Sequence, residues 1–313
     1  MTTFASAAHH YAAFRPRYPE EFFALLADRF QLDGTQTVLD LGCGPGTITI
    51  PLASRAGHVY AVDIEPAMIS EGRKAAAAHH AGNITWACAD DAGLTGMGLP
   101  PLHLCTMGKT FQWMNQTQIL ADLDTLIRPD GGIALVSTGP RNSTVRPAWL
   151  DIIESVCTDV IGPGYRQEHG PVAHPAEGRD EALLRSAFSR IETARWDQTF
   201  TRTLDELIGL QYSFSYSSPA VLGTRQAAFE ELLRRELTAF SPNGTFENTV
   251  PIEAVIATRP QLPARSRHSH ARRQPSTRAL TMSENDIAQG VLKPRIGLTT
   301  LRPAKMLLRD FTQ

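Results

Sequence analysis

The stretch Val38-Leu39-Asp40-Leu41-Gly42-Cys43-Gly44-Pro45-Gly46-Thr47, followed by His58-Val59-Tyr60-Ala61-Val62-Asp63, decides the fold of this chain. A short apolar run enters a glycine turn, and the spacing predicts a helix from Thr47. A second apolar run then ends in a carboxylate, 17 residues after Gly46. Each part has a physical use. Glycine tolerates φ > 0 and, having no Cβ, lets a ligand approach the backbone. The first turn of a helix offers unpaired N–H groups to an anionic group. An acidic side chain that ends the next strand is placed to accept hydrogen bonds from ribose hydroxyls. Together they read as the first half of a nucleotide-cofactor site.

A dinucleotide fingerprint needs glycines at its first, third and sixth positions, the sixth for close helix–strand packing. Here Gly42, Gly44 and Gly46 hold positions one, three and five, and Thr47 holds the sixth, so an NAD site fails at the packing residue. With Asp40 before the first glycine, the spacing resembles the D-x-G-x-G-x-G motif of class I S-adenosylmethionine (SAM) methyltransferases. The resemblance continues in order along residues 10–258. Asp63-Ile64-Glu65-Pro66-Ala67-Met68 is similar to the family's D-x-S/E-P-x-M segment. Cys88-Ala89-Asp90-Asp91-Ala92-Gly93-Leu94 sits where the family has G-D-A-E-D-L, and Arg128-Pro129-Asp130-Gly131-Gly132 resembles its L-[RK]-P-G-G turn, with Asp130 replacing the first glycine. Tyr11–Pro19 (YAAFRPRYP) resembles the lid opening Y-x-x-x-R-P-x-Y-P of a small-molecule subgroup, and Phe111–Asn115 its F-H-W-x-D segment.

The resemblance implies a SAM shell made of Asp40, Gly42, Cys43, Gly44, Gly46 and Thr47 from the loop, and Asp63, Ile64 and Met68 after the second strand. Asp90 and Asp91 follow the third strand, Met107 the fourth, and Arg17 and Tyr18 reach in from the lid. Several roles stay open. Thr47 either bonds the cofactor carboxylate or caps a helix, and Asp63 either accepts ribose hydroxyls or caps the helix at Pro66. Asp90 is matched to the adenine amino group, with Asp91 as its rival. Arg17 and Tyr18 either meet the carboxylate when the lid closes or belong to a Pro-rich surface loop. Lys109 is expected to turn its ammonium away from a cationic cofactor. Trp113, Trp149, Tyr212, Phe214 and Tyr216 either wall an acceptor pocket or fill the core. Methyl transfer is an in-line displacement that asks mainly for alignment and desolvation. A base is needed only where the nucleophile must lose a proton. His169 and His174 are candidates for that, and no catalytic residue is assigned.

Strands read at Thr37–Leu41, His58–Asp63, Ile84–Ala87, Leu102–Met107, Gly132–Ser137, Ile191–Gln198 and Pro251–Thr258, the last joining the sheet edge antiparallel. Helices read at Pro19–Phe30, Thr47–Arg55, Pro66–His80, Gln118–Ile127 and Trp149–Val160, with two more in residues 203–240. This alternation predicts an α/β fold: a doubly wound, seven-stranded, mostly parallel sheet, Rossmann-like, with a helical cap and an irregular basic C-terminal tail. The division is residues 1–36 for lid and first helix, 37–138 for the SAM-binding core, 139–260 for cap inserts and final strands, and 261–313 for a basic, disordered extension.

Composition narrows the function. The chain has 313 residues, 42% hydrophobic and 20% charged, enough for a sizeable core. No basic flank precedes an apolar segment at the N-terminus, and no apolar stretch approaches the length of a membrane span, which argues for a cytoplasmic protein with no membrane partner. The four cysteines have no metal-type spacing; Cys43, Cys88 and Cys105 lie in or beside strands and read as small core residues, and no metal is expected. Residues 261–313 hold ten Lys/Arg against three Asp/Glu, so the remainder carries the acid excess of a chain with net charge −2. An acidic body argues against DNA as a partner. The basic tail is either a loose extension or an arm for RNA or phospholipid. The expectation is a SAM-dependent methyltransferase acting on a small-molecule acceptor. The alternatives are a macromolecular (RNA or protein) methyltransferase using the tail, and a non-catalytic regulator with the same fold.

Overall fold

In the computed structural model, which describes residues 3–138, 146–168 and 178–260, the expected alternation closes into one sheet. Along the chain come α1 (Thr3–Phe14), α2 (Glu20–Phe30), β1 (Thr37–Leu41), α3 (Thr49–Ala53), β2 (His58–Asp63), α4 (Pro66–Ala78), β3 (Ile84–Cys88), β4 (Leu102–Gly108), α5 (Gln116–Leu126) and β5 (Ile127–Thr138). There follow α6 (Trp149–Val160), α7 (Tyr165–Glu168), α8 (Arg179–Leu184), β6 (Arg190–Thr203), α9 (Leu204–Tyr212), α10 (Pro219–Leu222), α11 (Gln226–Phe240) and β7 (Thr245–Thr258). The strand order is β3-β2-β1-β4-β5-β7-β6. Strands β1 to β5 are mutually parallel, and β7 runs antiparallel to both neighbours. The order reverses between β1 and β4, the point at which such sheets bind ligands beyond their strand ends.

Alternating side chains divide the core between the two faces of the sheet. Leu39, Leu41, Cys105, Met107, Ile133 and Leu135 pack on one side with Ile119, Leu120 and Leu123 of α5. Val38, Leu104, Ala134 and Val136 pack on the other with Phe22, Leu26 and Phe30 of α2 and Leu52 of α3. A separate cluster fills the cap, joining Trp149 and Ile153 of α6 to Leu207 of α9, Phe229 and Leu233 of α11, and Phe246.

The structure corrects three readings. β7 lies between β5 and β6 rather than at the edge, because β6 adds a further antiparallel strand along its whole length. α3 starts at Thr49, since the positive φ of Gly46 (85°) delays the helix and the Thr49 hydroxyl is drawn inward to Asp40. Cys88 is exposed at the end of β3, so only Cys43 and Cys105 of the three strand-associated cysteines are core residues. The Ala-rich helix α1 precedes the segment read as a lid, and it packs on α4 and α9. The tail, His169 and His174 lie outside the described residues.

Candidate functional site

The glycine loop leaves β1 at Leu41 and is tied to the end of β2 by N–H groups of Gly42 and Cys43, which both donate to the Val62 carbonyl at 2.7 and 3.0 Å. Gly42, Gly44 and Gly46 all have positive φ, but they face different surroundings. A Cβ on Gly42 would lie 2.4 Å from the Thr110 side chain, and one on Gly46 would lie 2.8 Å from Trp86. A Cβ on Gly44 would meet no atom within 4 Å. Two of the glycines therefore allow packing within the protein, and of the three only Gly44 has room for a Cβ.

Asp63 closes the other side of that space. One carboxylate oxygen accepts the Gly44 N–H at 2.8 Å and the other accepts the Glu65 N–H at 2.8 Å. Burial raises the Asp63 pKa, and these two bonds work against the rise. The capping of α4 falls to Glu65, whose side chain accepts the Ala67 N–H at 3.2 Å, a buried acid that the sequence reading passed over. Between the two acids, Ile64 holds an apolar side chain 71% exposed. Exposed Cys88 and exposed Asp90 continue this rim at the end of β3. Asp90 caps a short turn by accepting the Gly93 N–H at 2.9 Å, and its rival Asp91 is half-buried. Gly44, Asp63, Ile64 and Asp90 thus form a polar and apolar ledge over the strand ends.

Other expected contacts lie behind this ledge. Asp40 is 1% exposed, and its two oxygens accept the hydroxyls of Thr49 (2.6 Å) and Thr106 (2.8 Å). It braces β1 against α3 and β4 instead of presenting a group to a ligand. Met107 and Cys43 are buried, Met107 in the sheet core, because the inward phase of β4 fixes its direction. Met68 is buried in the first turn of α4. Thr47 makes no cap, since Ile48 occupies the N-cap position of α3.

The Asp40 brace has a pH signature. Burial pushes its carboxyl up to about 6 from 3.8, against the pull of the two threonine hydroxyls. A raised folded-state pKa means the folded protein holds this proton more tightly than the unfolded chain. The resulting stability is present below about pH 3.8 and is lost as the pH rises through about 6. At 1.36 kcal/mol per pKa unit the swing is about 3 kcal/mol. Asp40→Asn, neutral at every pH, is expected to lose that swing. Guanidinium unfolding of both proteins at pH 4 and pH 7.5 checks it.

The N-terminal segment comes over the same strand ends. Tyr18 packs on Phe22, with ring centroids 5.6 Å apart, and its hydroxyl sits 3.0 Å from where a Gly108 Cβ would be. Burial drives its pKa up. Arg17 is exposed. A cavity of about 580 Å³ lies along Arg17, Tyr18, Gly46, Thr47 and Ile50 and extends to His79 and Asn83. Asp63, Ile64 and Asp90 do not line it, so it is distinct from the ledge. Lys109, at φ 60°, donates from its ammonium to the Thr138 carbonyl at 3.1 Å, and burial with the nearby Arg15 charge lowers its pKa. It is tied to the end of β5.

The five aromatics separate. Trp149 and Tyr212 belong to the cap core: the Trp149 indole donates to the Glu247 carbonyl at 3.1 Å, and the Tyr212 hydroxyl donates to Glu230 at 2.9 Å. Their burial in this cluster is a packing role, the second of the two readings the sequence left open. Phe214 and Tyr216 stay half-buried, stacked at 5.1 Å and 15°, and Trp113 is half-buried after β4. Among the described residues no group of three or more His, Cys, Asp or Glu could hold a metal, and no helix is long and apolar enough to cross a membrane.

Residues 38–131 match the family model for a methyltransferase domain. Over that stretch, about a third of the chain, the protein is similar to the methyltransferase domain family. An uncharacterized methyltransferase-like protein of Schizosaccharomyces pombe is 26% identical over 161 residues, 50% of this chain and 58% of that protein. The 23S rRNA (uracil(1939)-C(5))-methyltransferase of Klebsiella pneumoniae is 49% identical over only 49 residues, 11% of its length. The chain therefore spans little more than half of one of these relatives and a small fraction of the other. A solved structure from Anaeromyxobacter dehalogenans, named for the type II methyltransferases, has a TM-score of 0.54 at 21% identity and covers 79% of this chain and 98% of its own. At that identity the likeness concerns the fold alone.

Proposed function

We propose that this chain is a SAM-dependent methyltransferase that binds SAM on the ledge of Gly44, Asp63, Ile64 and Asp90 and transfers its methyl group to a small-molecule acceptor beneath the cap. The observation that carries the reading is the open space over Gly44, bounded by a half-buried carboxylate that already holds the Gly44 N–H. A nucleoside fits such a place. Each Asp63 oxygen keeps a second lone pair for a ribose hydroxyl, Ile64 offers an apolar surface to a base, and Asp90 offers an acceptor to an amino group. The loop N–H groups and Arg17 supply positive potential for a carboxylate.

SAM, when bound, supplies a methyl group already activated as a sulfonium. What remains for this chain is to orient the acceptor, exclude water and keep competing cations away. Tyr18 against Gly108 closes the end of β4, and Lys109 holds its ammonium on the Thr138 carbonyl. Phe214, Tyr216 and Trp113 provide the half-buried aromatic surface an apolar acceptor would meet. The relatives named as RNA methyltransferases match a short stretch, which fits an RNA acceptor without favouring it.

Calorimetric titration of SAM and S-adenosylhomocysteine tests the reading. The wild-type protein is expected to bind both at micromolar concentration. Gly44→Ala, whose new methyl group would stand in the ligand's space, is expected to bind about tenfold more weakly. A folded wild-type protein that binds neither compound sinks the reading.

A further inference from the structure

The polar contacts between the N-terminal segment and the cap centre on a side chain that the sequence reading passed over in favour of its neighbour Arg17. Arg15 follows α1 directly. Its Nε donates to the Ser213 hydroxyl at 2.9 Å, and its Nη2 donates to the Ser213 carbonyl at 3.2 Å. Ser213 is fully buried and Arg15 half-buried, so this bond pair is partly shielded from solvent. The guanidinium also stands 4.0 Å from the Phe214 ring centroid and 4.8 Å from that of Tyr11. A planar fork that donates twice while stacking on a ring is a geometry lysine cannot reproduce. Around it, the Phe14 ring occupies the space beside Gly209, where a Cβ would lie 2.4 Å away, and the Ser6 hydroxyl accepts the Ala220 N–H at 3.2 Å.

The far side of the same linker is different. The cavity of about 580 Å³ runs between residues 15–18 and the outer ends of α3 and α4. The linker is thus gripped at Arg15 by the cap and at Tyr18 by β4, with space along its remaining side. Phe214, the ring under Arg15, is also stacked on Tyr216, and Tyr216 meets Tyr165 edge-on at 5.1 Å. One continuous set of contacts therefore runs from the cap aromatics to the segment carrying Arg17 and Tyr18.

We propose that Arg15 is a positioning residue that fastens the lid helix to the cap, so that occupation of the Phe214–Tyr216 face and closure over the cofactor ledge are coupled. The coupling rests on the cofactor and cap roles proposed above, whereas the fastening stands on the contacts alone.

Hydrogen exchange of the ligand-free, full-length protein reads the fastening. Arg15→Ala is expected to raise exchange over residues 7–14 about tenfold, with the amides of β1, β2 and β4 unchanged. Ser213→Ala, a smaller change that keeps the arginine, is expected to raise it in the same segment by less. Unchanged exchange there in both variants overturns the fastening. Calorimetry with S-adenosylhomocysteine reads the coupling: Arg15→Ala is expected to bind about tenfold more weakly at an unchanged melting temperature, with Arg15→Lys giving back only part of the loss. Raised exchange with wild-type affinity, or full rescue by lysine, overturns the coupling. If the folded wild-type protein binds no S-adenosylhomocysteine, the cofactor reading and the coupling fall together, and the exchange data still judge the fastening.

Discussion

Replacing Asp63 by alanine is expected to weaken S-adenosylhomocysteine binding about hundredfold while the sheet stays folded. The carboxylate accepts two backbone N–H groups, from Gly44 and Glu65, each at 2.8 Å. Its loss frees the loop on the side that faces the proposed ligand and removes a charged acceptor for the ribose. Hydrogen bonds to a charged group contribute about 1.5–3 kcal/mol, and about 2.7 kcal/mol corresponds to a hundredfold change in affinity. Folding suffers less, because burial already opposes the ionised form of Asp63, raising its pKa. Asparagine keeps the shape and one acceptor oxygen, so Asp63→Asn should fall between the two. Calorimetry decides: equal affinity for wild-type and alanine proteins would place the ribose elsewhere.

Gly42→Ala carries the second large effect, this time on stability. Its φ of 71° is left-handed backbone, which costs a side-chain-bearing residue about 1–2 kcal/mol. The new Cβ would also lie 2.4–2.8 Å from three atoms of the Thr110 side chain. Thr110 cannot turn away freely, since its hydroxyl donates to the Leu41 carbonyl at 2.9 Å. Overpacking of this kind adds about 1–3 kcal/mol, for a total near 3 kcal/mol. Gly44→Ala pays only the backbone part, about 1–2 kcal/mol, because no atom lies within 4 Å of its added carbon. Guanidinium midpoints of the two variants test the distinction. Equal losses would mean that Thr110 yields to the new methyl group.

These two glycines show how far the sequence could be read. The turn, the strands on either side and the carboxylate at Asp63 were legible because apolar runs of strand length and a glycine spacing leave few alternatives. The division of labour among the glycines was not, since it depends on Thr110 and Trp86, which arrive from β4 and β3 far along the chain. Asp40 stands in the motif with the glycines, yet the alternation of β1 turns it inward to Thr49 and Thr106. Trp149 and Tyr212 had the composition of a pocket wall, and their partners on α11 and β7 made them core. The place of β7 depended on a strand whose exposed and half-buried residues give only weak apolar alternation. Arg15 lay inside a quoted motif, but its partner Ser213 is 198 residues away.

The last two strands have a further consequence. β6 and β7 pair through Thr203 opposite Thr245, whereas β5 reaches β7 only from Ile252 onward. Beyond that point the pair runs on as a two-stranded ribbon, and residues 204–244 hang from its final rung. A segment that enters and leaves through adjacent positions is an exchangeable cassette. Its length and composition can be rewritten by recombination or insertion without shifting a single register in the sheet below. Selection could therefore diversify the roof of this domain while the floor, with its glycine loop, stays as it is.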